Sequence, residues 1–66
     1  MNFDEATREI ADGECIWRPG WNEDNFWAGE HLGQTYLFSG TEVLNVWHPT
    51  DDDRAATDWA STRETP

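Results

Sequence analysis

The large side chains of this sequence are concentrated in two short segments. These are Arg18-Pro19-Gly20-Trp21-Asn22 and Trp47-His48-Pro49-Thr50-Asp51-Asp52-Asp53-Arg54-Ala55-Ala56-Thr57-Asp58-Trp59. Four of the five Trp residues, at positions 17, 21, 47 and 59, lie within or beside them. Such a layout builds either a small aromatic core or the wall of a ligand pocket. The aliphatic set is thin, with two Ile, three Leu and two Val, so the nine aromatic residues must supply most of the burial. A chain of 66 residues is one domain at most and buries only about 60% of its unfolded surface. Self-association would add core that a single copy lacks, and a homo-oligomer is expected.

Fourteen acids face four Arg and no Lys, for a net charge of −10. That balance excludes nucleic acid and anionic membranes as partners, because both demand a basic surface. It leaves a solvated acidic exterior or, more sharply, a mimic of DNA or RNA that occupies a basic groove. Cys15 is the one cysteine, so there is no disulfide framework and no cysteine-based metal site. It reads as a small buried hydrophobe. No leader-like start and no membrane-length apolar run is seen, which makes a cytoplasmic location the expectation.

Asn2-Phe3-Asp4-Glu5 reads as a helix start, with Asn2 as cap and Glu5 three residues on to complete a capping box. Phe3, Ala6, Ile10 and Ala11 then recur at helical spacing, and Gly13 ends the run. From Glu14 to Arg18 the period shifts to two, and Pro19-Gly20 suits the centre of a type II turn. Further strands are predicted over residues 25–30, 35–38 and 42–47, with Ser39-Gly40 as a tight hairpin turn. Thr50 and Asp53 form a second capping box for a brief helix over 51–57. Residues 59–61 return as an edge strand. The fold class is α+β: an N-terminal helix packed on a small antiparallel sheet, with a short helical turn near the C-terminus. Residues 1–61 form the domain and 62–66 a flexible tail.

On these residues the chain resembles the second Thoeris anti-defence family of phage-encoded nucleotide-signal sponges. Phe3, Ala6, Ile10 and Gly13 match the family's opening helix, and Ile16, Arg18, Gly20, Trp21 and Asn22 its strand and Arg-x-Gly-Trp-Asn turn. Trp47, Pro49, Thr50, Asp53, Ala56, Asp58 and Trp59 follow its Trp-x-Pro-Ser/Thr-x-x-Asp-x-x-Ala-x-Asp-Trp pattern. The two blocks cover residues 2–22 and 47–59, whereas residues 23–46 look shorter than the family's usual sheet region. The resemblance implies a homodimer or homotetramer in the infected bacterial cell. It also implies binding of a cyclic ADP-ribose-type or related nucleotide signal without degradation.

A sponge needs stacking surfaces, phosphate donors and ribose acceptors, but no nucleophile. Trp21 is a candidate stacking face, with a plain core Trp as the alternative. Asn22 can pair with a base edge or ribose, or hold its turn through an Asx hydrogen bond. Arg18 matches a phosphate in a bidentate way, or makes a surface ion pair. Thr50 and Asp53 read first as a helix start, whose free amides could also meet a phosphate; Asp53 or Asp58 could accept ribose hydroxyls. Trp47 and Trp59 bracket this segment and pack its core, with Trp47 retained among the ligand candidates. His31 and His48 lack ligand-spaced companions, and there is no Ser-His-Asp set or Gly-rich phosphate loop. The chain reads as a non-enzyme with no metal and no cofactor. The competing readings are the acidic groove blocker and a phage structural protein with no ligand.

Overall fold

The computed structural model describes residues 1–64, apart from the side chains of Asn22 and Glu64. The first element, α1 (Phe3–Ala11), starts on the expected capping box. The Asn2 side chain accepts the Glu5 N–H at 2.8 Å, and the Glu5 carboxylate accepts the Asn2 N–H at 3.0 Å. Its end is a Schellman motif. The Glu14 N–H reaches back to the Glu9 carbonyl at 2.9 Å, and the Gly13 N–H to Ile10 at 3.0 Å, with Gly13 at φ +89°. Ala6 and Ile10 are the buried stripe of this helix.

The strands are β1 (Ile16–Trp17), β2 (Phe26–His31), β3 (Gln34–Ser39), β4 (Glu42–Val46) and β5 (Ala60–Ser61). They form one antiparallel sheet in the order β4-β3-β2-β1-β5. The first strand is shorter than the alternation over 14–18 predicts. Glu14 is held by the helix end, and the Arg18 carbonyl accepts the Trp21 N–H at 2.9 Å. That bond opens a 3-10 helix over Pro19–Asp24 in place of a type II turn, and Gly20 stays out of the left-handed region that such a turn requires. The hairpin loop after β3 is Gly40-Thr41, one residue beyond Ser39-Gly40, because Ser39 still pairs with Glu42. The β2–β3 hairpin turns on Leu32-Gly33, both at positive φ as a type I′ turn demands. Sequence reasoning passes over this turn because Leu has no left-handed preference.

The second helix, α2 (Asp51–Ala55), is capped by Thr50 with Asp53 as expected but is shorter than 51–57. Ala56 is already extended, at ψ 145°. The return strand loses Trp59 and keeps Ala60–Ser61 at the sheet edge. A 3-10 turn follows over Thr62–Glu64, where Arg63 pairs with Glu9 at 3.4 Å and Asp12 at 3.3 Å. Thr62 contacts Glu14 and takes the Cys15 N–H at 3.2 Å. Ile16, Ala28, Ala6, Ile10 and Trp59 form the core between helix and sheet. Among the described residues no helix is long and apolar enough to cross a membrane.

A Cβ at position 13 would meet nothing within 4 Å, so Gly13→Ala isolates the backbone cost of a left-handed residue. It is expected to lower the unfolding free energy by about 1–2 kcal/mol in urea melts followed by Trp fluorescence. An unchanged midpoint would mean that this helix end is not fixed in solution.

Candidate functional site

The two motif segments meet on the helix side of the sheet. Trp21, at the start of the 3-10 helix, meets Trp59 edge-on at 5.2 Å and Trp47 at 6.0 Å. Trp47 meets Trp59 at 5.7 Å, and Phe3 from α1 lies 6.1 Å and 6.2 Å from the two. Tilted and edge-to-face pairs at these separations are attractive beyond their burial, by about 0.5–1.5 kcal/mol each. Trp59 is almost fully enclosed, at 2% exposure, while Trp21 and Trp47 are half-buried. These two therefore pack the core and keep part of their surface for the outside.

That outer part lines a concavity of about 300 Å³. Of the six candidate residues, Trp21, Trp47, Thr50 and Asp53 all contribute to its wall. Phe26 and Leu37 from the sheet, Asn45 and Val46 from β4, and His48 complete it. Sequence reasoning missed these five. Asn45, an amide inside an apolar strand, and His48, inside the second motif, carried a usable signal. Phe26, Leu37 and Val46 look like ordinary strand residues and carried none. Asn22 lies in the 3-10 helix beside Trp21, but its side chain is outside the described residues.

Arg18 stands behind the wall. Its Nη1 donates to Asp53 Oδ1 and its Nε to Asp58 Oδ1, both at 3.2 Å. Burial pulls this guanidinium's pKa down, but the two carboxylates outweigh it and hold it above the ordinary arginine value. Asp53 Oδ2 accepts the Thr50 N–H at 3.0 Å, and the Thr50 hydroxyl accepts the Asp53 N–H at 3.1 Å. The Asp53 carbonyl accepts the Trp59 indole N–H at 3.1 Å. The capping box thus occupies two amides that an incoming phosphate would use, and Arg18 is committed to carboxylates. The wall that remains is aromatic and apolar, with an amide, a hydroxyl, an imidazole and a carboxylate. Such a surface stacks planar rings and pairs with neutral polar groups.

A second concavity, of about 280 Å³, involves Cys15, Trp17, Asn25, Trp27 and Thr62 and shares only Phe26 with the first. Burial, and then the charge of Glu14, push the Cys15 thiol up, which keeps it protonated at neutral pH. Among the described residues no group of three or more His, Cys, Asp or Glu is placed to hold a metal ion.

Compared with known families, residues 1–61 match the model of the Thoeris anti-defense 2-like domain. No curated protein and no solved structure matches the chain.

Asp53 serves the cap and the ion pair together, so its loss should exceed that of Thr50. Thr50→Ala is expected to cost about 1 kcal/mol of stability, and Asp53→Ala about 2–3 kcal/mol. Because both act through one capping box, the double variant should lose less than the sum. Urea unfolding of the four proteins tests this, and strictly additive losses would mean that the two residues act independently.

Proposed function

The chain belongs to the Thoeris anti-defense 2-like family, and we propose that it serves its Thoeris anti-defence role by binding and sequestering a nucleotide-type signal without degrading it. The ligand class is that of cyclic ADP-ribose isomers and related cyclic nucleotides. The observation that supports this reading is the convergence of Trp21, Trp47, Thr50 and Asp53, from segments far apart in the chain, on one concavity. At about 300 Å³ it is at the lower end of small-molecule sites, with room for one base and its ribose and an open mouth for the remainder.

In this reading the half-buried faces of Trp21 and Trp47 supply stacking, worth roughly 1–3 kcal/mol per base. Asn45 and His48 reach the base edge, while the Thr50 hydroxyl and the free lone pairs of Asp53 take ribose hydroxyls. Arg18 is a positioning residue: it holds Asp53 in place rather than meeting the phosphates. A binder of this kind needs no nucleophile, because holding the signal is enough to starve the effector that reads it.

Titration of the protein with cyclic ADP-ribose isomers should quench Trp fluorescence, and denaturation should return the ligand with its mass unchanged. Asn45 and His48 are exposed, so Asn45→Ala and His48→Ala should keep the fold while weakening Kd by about tenfold each. A Kd unmoved by both would put the ligand elsewhere. No response to any cyclic nucleotide would favour the acidic blocker of a basic groove, which ignores small molecules.

Protein and ligand are both anionic, so their long-range repulsion is screened by salt, within about 8 Å at physiological strength. The association rate in stopped-flow fluorescence should therefore rise with added NaCl. A rate that falls would reveal a cationic pocket and argue against this assignment of Arg18.

A further inference from the structure

The alternation of β2 sends Trp27, Gly29 and His31 to the helix-free face of the sheet, and Phe26, Ala28 and Glu30 to the helix side. Thr35 of β3 pairs with Glu30 and shares its face. Ala28 is buried under α1, whereas Glu30, two residues nearer the β2–β3 hairpin, is exposed. A groove of about 380 Å³ opens there between helix and hairpin. Thr7, Ile10 and Ala11 of α1 form one wall, Glu30 and Thr35 the other, and Gly33-Gln34 closes the end. None of these residues lines the concavity of Trp21 and Trp47, so the two sites are separate.

The polar side chains along the groove are acceptors in search of donors. The Glu30 carboxylate and the Thr35 hydroxyl have no hydrogen bond or ion pair among the described residues. The Thr7 hydroxyl gives its proton to the Asp4 carbonyl at 2.9 Å and has only lone pairs left to offer. No arginine neutralises Glu30. Arg18 and Arg63 are each held by two other carboxylates, and Arg8 and Arg54 form no ion pair among the described residues. Ile10 and Ala11 add an aliphatic strip, and the lining includes no aromatic ring and no cation.

This set of groups selects against most ligand classes. An anion is repelled by Glu30, and a planar base finds nothing to stack on. A divalent metal ion takes several oxygen ligands, and no three His, Cys, Asp or Glu among the described residues are placed to hold one. An alkylammonium answers every feature. It carries three N–H donors and no acceptor, and its methylenes match an aliphatic wall.

We propose that the groove binds an aliphatic polyamine. One terminal ammonium sits among Glu30, Thr7 and Thr35, and the methylene chain runs along Ile10 and Ala11. The other ammonium groups stay in water, where the field of a chain with net charge −10 favours them. An ion pair open to solvent is weak, so the expected Kd is about 0.1–1 mM. The site shares no residue with the nucleotide reading and does not rest on it.

Titration of the full chain with spermidine in low salt, followed by 1H–15N NMR, should give saturable shifts confined to the amides of residues 7–11 and 30–35. Glu30→Gln is an exposed and isosteric change, and it should weaken Kd by about three- to fivefold with an unchanged circular dichroism spectrum. Glu42→Gln removes the same charge from the exposed edge strand β4 and should leave Kd unchanged. Added NaCl should weaken binding, the reverse of its effect on the association of an anionic signal. Methylammonium has the same head without the chain and should bind about tenfold more weakly. Shifts spread over all the acidic segments, or no saturable shifts, would overturn the proposal. So would the same local shifts with MgCl2, equal losses in Glu42→Gln and Glu30→Gln, or methylammonium binding as tightly as spermidine. The comparison of the two amines uses the wild type alone, so it decides even if a variant fails to fold.

Discussion

Asp53 carries most of the constraints that hold the helix side of this small domain together. Its carboxylate takes Arg18 from the end of β1 and closes the cap of α2 on the Thr50 amide. Its carbonyl holds the indole of Trp59 in the core. Side chain and backbone thus join three stretches of chain at one residue that is only 8% exposed. A carboxylate this enclosed is tolerable only because each oxygen has a donor. With Asp53 anchored, Trp59 is fixed, and the edge-on contacts of Trp21 and Trp47 to it follow. The two aromatic motifs are therefore first a fastening device. Only the surface left over from that fastening lines the concavity.

The single sheet divides the remaining work between its faces. On one side, α1 buries Ile16 and Ala28, and the aromatic cluster with α2 fills the space beside them. On the other, an aromatic and aliphatic surface lies without a helix, with the Trp27 indole N–H turned inward to the Gly40 carbonyl. Many of the acids stand on the helices and loops, where Arg18 and Arg63 each bridge two carboxylates. Those whose carboxylates face solvent, Arg18–Asp58 and Arg63–Asp12, contribute little individually. Their placement matters more for what it leaves neutral.

The helices were the most legible part of the sequence, because a capping box is a local code. Asn2 with Glu5 and Thr50 with Asp53 close as their spacing says. Strand existence was legible from the period of two, but the turns between strands were less so. Pro19-Gly20 fits a type II turn by local preference. The 3-10 helix wins where Trp21 is packed against Trp47 and Trp59, a contact between residues far apart in sequence. Leu32 takes a conformation that local preference assigns to Asn or Gly. Of the candidate site, Trp21, Trp47, Thr50 and Asp53 could be named from their motifs, whereas Phe26, Leu37 and Val46 have no local mark to set them apart.

By itself the amino-acid sequence determined the α+β class, both helix starts and the presence of two aromatic motifs, since each is written in residues within a few positions of one another. What only the tertiary structure decided is the use made of those residues. Arg18 reads equally well as a phosphate ligand or as an ion-pair partner until Asp53 and Asp58 are brought within 3.2 Å of it. Trp21 reads equally well as core or pocket until its neighbours leave one part of it uncovered. A side chain's role depends on which groups the fold carries to it, and no local pattern contains that distance.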